Sequence, residues 1–101
     1  MHSDCRNRAL ESKLIGQWRC FSEGETCDYS FLASNEFTCV VTRQGESPFK
    51  VRGYWDICGN DLRMGTSPMA ASAAHILMTS LDSFSTQLPG GIVTLFKRAS
   101  L

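Results

Sequence analysis

The chain lacks a long apolar run, an excess of either charge, and any cluster of histidines. Each absence excludes something. No run approaches the ~20 apolar residues that a membrane-crossing helix needs, so no membrane partner is expected. Ten basic and ten acidic side chains cancel. A nucleic-acid binder shows a positive surplus, so nucleic acid is not an expected partner either. The two histidines, His2 and His75, are far apart and have no companion at metal-ligand spacing. No metal and no cofactor are therefore expected.

The segment Met1–Arg8 is polar. It lacks the apolar core of ~7–15 residues that marks a secretory signal. The expectation is a cytoplasmic protein, the alternative an exported one whose signal has been removed. No apolar stretch precedes Cys5, so a lipid anchor there is not expected.

Five cysteines are present, at 5, 20, 27, 39 and 58, and none makes a C-x-x-C pair. Zinc-ribbon and thioredoxin readings fail on that spacing. An odd number leaves at least one free thiol. The expectation is free, mostly buried thiols acting as small hydrophobes in a reducing compartment. The alternative is one or two disulfides, with pairing open.

Catalytic groups are equally sparse. A general base needs a nucleophile or acid within hydrogen-bond reach. His75 with Cys39 or Cys58 has no spacing to support it, and His75 is read as a rim or surface residue. Gly59-Asn60-Asp61 and Pro89-Gly90-Gly91 are hairpin turns, because neither opens a helix that would hold an anion. Arg43, Lys50, Arg52 and Tyr54 form a small basic and aromatic group. Alternation puts Lys50, Arg52 and Tyr54 on an outer, solvated face. The chain is not expected to be an enzyme.

What is present is strand signal at short, even intervals. The 101 residues suffice for one domain with one modest core. Residues 4–13 suit a short helical turn capped by Asp4. From Leu14 onward, apolar residues alternate with polar ones. Cys27, Tyr29, Phe31 and Ala33 form one such set, and Phe37, Cys39 and Val41 a second. Phe49, Val51, Gly53, Trp55 and Ile57 form a third, with Gly53 marking a bulge or tight bend. Leu62 with Met64, Ile76 with Met78, Phe84 to Leu88, and Ile92 to Arg98 complete the series. Gly65–Ser72 is read as a loop, although its alanines also suit a short helix.

About eight short strands with short connections must be antiparallel neighbours. The fold expected is all-β: a small antiparallel up-and-down barrel over residues 14–98, with a short N-terminal helix and no exposed edges. A β-sandwich is the alternative.

Gly16-x-Trp18, following a helical turn, resembles the G-x-W motif that opens lipocalins and related calycin barrels. Gly53-Tyr54-Trp55-Asp56-Ile57-x-Gly59-Asn60-x-Leu62 and the tail Thr94-Leu95-Phe96-Lys97-Arg98 look like small bacterial lipocalin-like and avidin-like domains. The resemblance implies that Trp18 plugs one end of the barrel. It also implies that Arg98, or Lys97, packs across that tryptophan.

An eight-stranded barrel is wide enough to be filled by its own side chains or to hold one small ligand. The expected function is a binding protein for a small apolar or amphipathic molecule. Its interior candidates are Tyr29, Phe31, Phe49, Trp55, Met64 and Met78, and Met69 could join the two methionines in an adaptable lining. The alternative is a protein-interaction module with a filled core, inhibitor-like or forming a homo-oligomer. Cavity volume separates the two readings.

Overall fold

The computed structural model describes residues 5–67 and 71–99, with the backbone alone at positions 78 and 79. One short helix, α1 (Arg8–Leu14), precedes eight strands. These are β1 (Gly16–Ser22), β2 (Glu25–Phe31), β3 (Glu36–Arg43), β4 (Phe49–Cys58), β5 (Asp61–Gly65), β6 (Ser72–Ser80), β7 (Ser83–Gln87) and β8 (Val93–Arg98). Each strand pairs antiparallel with the next, and β8 returns to β1 to close the barrel. The expected all-β barrel is present.

Alternation decides which side chains enter the lumen. Trp18 and Cys20 on β1, Phe31 on β2, Phe37 and Cys39 on β3, and Trp55 and Ile57 on β4 are all buried. So are Leu62, Ile76, Phe84 and Phe96 from the remaining strands. One of the tight two-residue connections is the loop Glu23-Gly24 between the paired residues Ser22 and Glu25. Both of its residues have positive φ (27° and 82°), the backbone twist that matches a hairpin. The register slips between Met78 and Ser80, so the irregularity lies on β6. At Gly53 the register is continuous. Glycine is required there for a different reason: a Cβ would strike the backbone of Gly65 and the Phe37 ring.

Helix α1 closes one end of the barrel. Its cap is Asn7, whose Oδ1 accepts the Leu10 N–H at 3.0 Å. The helix therefore starts and ends later than residues 4–13 suggested, and Asp4 lies outside the described residues. Leu14, expected to begin the first strand, instead ends the helix and is fully buried. Trp18 Nε1 donates to the Leu14 carbonyl at 2.8 Å. The Arg98 guanidinium lies 4.1 Å over the Trp18 ring, and its Nη2 donates to the Lys13 carbonyl at 2.9 Å. One side chain thus covers the plug and caps the last turn of the helix.

These contacts explain the glycine two residues before Trp18. Gly16 has φ +134°, and a Cβ on it would lie 2.7 Å from Arg98 Nη1.

The N-terminal segment is joined to the barrel by a Cys5–Cys58 disulfide. This corrects the expectation of free thiols throughout; Cys20, Cys27 and Cys39 are free. The expected loop Gly65–Ser72 also needs correction at both ends, since Gly65 ends β5 and Ser72 begins β6, paired with Met64. Alanines 73 and 74 are in β6, paired with Arg63 and Leu62. Small side chains do not prevent a strand whose backbone pairs with a neighbour, here β5. Pro68, Met69 and Ala70 lie outside the described residues.

Candidate functional site

The lumen is unevenly filled. Near α1, aromatic rings occupy it. Trp18 meets Phe84 edge-on at 4.7 Å, Phe84 stacks on Phe96 at 4.6 Å, and Phe31 tilts against Trp55 at 4.9 Å. Both indoles are satisfied, since Trp55 Nε1 donates to the Leu32 carbonyl at 3.1 Å. This half is solid core.

Toward the opposite end a cup of about 280 Å³ opens to solvent. Tyr29 forms part of its floor, stacked on Phe31 at 5.6 Å and edge-on to Phe96 at 5.5 Å. Leu62, Met64 and Leu88 give apolar wall, and Thr86 and Thr94 give hydroxyls. Small residues of β6, Ser72 to Ala74, leave the space open.

Two thiols, Cys20 and Cys27, also line the cup, and they face each other across β1 and β2. Burial pushes Cys20 up to about 12, with the neighbouring Cys27 adding to the effect. Burial likewise pushes Cys39 up to about 11 and raises Cys27. Burial raises Tyr29 too. All four groups are neutral at physiological pH, which is the wrong state for a thiolate nucleophile.

The rim carries charge. Glu25 lines the cup, and Arg43 Nε stands 3.7 Å from its Oε2. The Arg43 guanidinium lies 5.2 Å over the Phe49 ring.

The expected interior residues therefore separate into groups. Tyr29 and Met64 line the cup, while Phe31 and Trp55 are buried in the packed half. Phe49 has inward alternation but is 43% exposed, because it is the first residue of β4 and sits at the mouth. It is a rim residue and not an interior one. The side chain of Met78 lies outside the described residues. Lys50, Arg52 and Tyr54 are exposed on the outer wall as expected. His75 is on the surface, with Nδ1 3.3 Å from Asp61 Oδ1.

Two larger hollows lie outside the lumen. One of about 350 Å³ runs past Arg6, Asn35 and Arg63. There Arg6 and Arg63 already engage Glu11 and Asp56 at 2.6 Å. The other, about 430 Å³, is a groove beside His75 and Pro89. The cup is preferred because its lining side chains, Leu88 apart, stand on six strands of the barrel, β1, β2 and β5 to β8.

Sequence reasoning missed a polar cluster behind β4. Glu11 is buried, and its carboxylate accepts from Arg6 Nη2 at 2.6 Å, Arg6 Nε at 3.1 Å, Asn35 Nδ2 at 3.3 Å and the Ile57 N–H at 3.0 Å. Asn35 also donates to the Trp55 carbonyl at 3.1 Å. A lone glutamate in a short polar helix gives no signal of this.

Comparison of the chain with protein-family models, with curated proteins and with solved structures finds no match. Among the described residues no three side chains are grouped to hold a metal ion, and no helix is long and apolar enough to cross a membrane.

Proposed function

We propose that this protein is a non-enzymatic, lipocalin-like binding barrel that holds a small apolar or amphipathic molecule in its upper lumen. The observation that carries this reading is the division of the lumen: aromatic packing on the α1 side and, on the other, an open cup with both apolar and hydroxyl-bearing walls. The cup, at about 280 Å³, is just below the ~300–1,000 Å³ of ordinary ligand pockets. Its occupant is therefore small, of fragment size. The stack of Arg98 on Trp18 supports the likeness to calycin barrels. The neutral thiols support a binding role over catalysis. The disulfide supports the exported alternative over a cytoplasmic location, since such bonds persist in oxidising compartments.

A second reading has its own observation. Leu77, Ser85 and Leu95 align across β6, β7 and β8, with both leucines exposed on the outer wall. Phe21, on adjacent β1, is 69% exposed. An apolar outer wall suits an interaction module or a homo-oligomer.

Native mass spectrometry of the purified protein tests both. A monomer carrying a small mass that departs on denaturation supports the container. A bare dimer or higher oligomer supports the interaction module and counts against the container.

A further inference from the structure

We propose that the cup selects cationic amphiphiles, small molecules with an ammonium head on a short apolar body, and that Glu25 is the residue that determines this preference. The inference rests on the reading of the cup as a ligand site.

The charge inventory of the cup is one-sided. Among the described residues that line it, Glu25 is the one charged side chain, and none is lysine, arginine or histidine. The other polar groups are serine and threonine hydroxyls, the Tyr29 hydroxyl and two thiols. A carboxylate buried in this space finds no cation on the walls to replace its water, since Arg43 stands outside at the rim, and it meets the Glu25 carboxylate. An anion is therefore rejected by desolvation and by repulsion.

Glu25 is placed to receive a cation. It is the first residue of β2, beside the tight Glu23-Gly24 turn, so its backbone is fixed by pairing with Ser22 on one side and Arg43 on the other. Its side chain is 26% exposed, reachable from solvent yet partly shielded. The field of Glu25 is felt inside, where it helps to raise the Cys27 thiol after burial has done most of the work.

Arg43 already shows what a cation does at this rim. Its guanidinium stands between the Glu25 carboxylate and the face of Phe49. The 3.7 Å separation from Glu25 is longer than a hydrogen bond, and the arginine is half exposed, so little holds it there. A ligand ammonium can take the same carboxylate while its apolar body enters the cup over Tyr29. Arg43 then swings into solvent.

The test is calorimetric titration at pH 7 and low salt with three probes of equal chain length: hexylammonium, hexanol and hexanoate. Hexylammonium is expected to bind at least about tenfold tighter than hexanoate, with hexanol between them, the size of one charge-assisted contact. Glu25→Gln should remove most of that gap and leave hexanol unchanged. Arg43→Gln should tighten hexylammonium, because it removes the internal competitor. Equal binding of all three probes would overturn the selectivity while leaving the cup as a binding site. A gap that persists in Glu25→Gln would overturn the role of that residue. No binding of any probe would overturn both the selectivity and the cup.

Discussion

Glu11 Oε2 accepts the backbone N–H of Ile57 at 3.0 Å, so a helix side chain completes a strand. β3 pairs with β4 only as far as Tyr54. Beyond it the edge of β4 would be bare. The Asn35 carbonyl takes the Trp55 N–H, Glu11 takes that of Ile57, and residues 5–7 bridge to Ile57, Cys58 and Gly59. The N-terminal segment thus substitutes for the missing neighbour, and the disulfide fastens it.

Removing the carboxylate should be expensive. Glu11→Ala leaves the buried Ile57 N–H without its acceptor and takes one of its partners from Arg6, which keeps Asn35, a loss of about 2–4 kcal/mol in chemical denaturation. Burial pushes the Glu11 carboxyl up, but the hydrogen bonds from Arg6, Ile57 and Asn35 together hold it below its ordinary 4.5. A lowered folded value means that the stabilisation is complete above about pH 4.5 and fades as pH falls through the folded value. Glu11→Gln should flatten the acid limb of the stability profile below pH 4.5.

The plug is the second prediction. Trp18 is fully buried and hydrogen-bonded to Leu14, so Trp18→Ala should cost about 3–5 kcal/mol. An unchanged melting midpoint would remove the plug from the account.

The Gly16–Arg98 contact gives a third. Gly16→Ala should destabilise by about 1–3 kcal/mol, through positive φ and collision with Arg98. Part of that cost comes from the guanidinium. In the background of Arg98→Ala the same glycine substitution should cost less, which a double-mutant cycle reads directly.

The thiols supply a fourth. Without reductant the intact mass should be lighter than the all-thiol chain by one pair of hydrogens. Cys5→Ser should lower stability by about 2–4 kcal/mol, because the bond closes a loop between residues 53 apart. Alkylation of native protein at pH 8 should be slow at all three free cysteines, since burial raises each of them. Fast labelling of one would revive a nucleophilic role.

The barrel was legible because its alternation is local. Tyr29 and Phe31, or Trp55 and Ile57, declare their face within a few residues, and short turns force antiparallel neighbours. The helix was misplaced because its anchors are distant: Leu14 is helical to reach the Trp18 indole, and Glu11 is buried to serve β4. Cys5–Cys58 was hidden for the same reason, as no spacing predicts a contact made by edge pairing. Phe49 shows the limit of alternation. Periodicity gives the side of a sheet, but depth in the lumen depends on where the strand starts.

The most direct test of the account is where a ligand sits. Intermolecular nuclear Overhauser effects should be measured on the protein saturated with hexanol. The account predicts contacts from the hexanol chain to the Tyr29 ring, the Met64 methyl and the Leu62 methyls at the floor and wall of the cup. Contacts confined to Phe21, Leu77 and Leu95 on the outer wall would contradict it and leave the barrel as an interaction module.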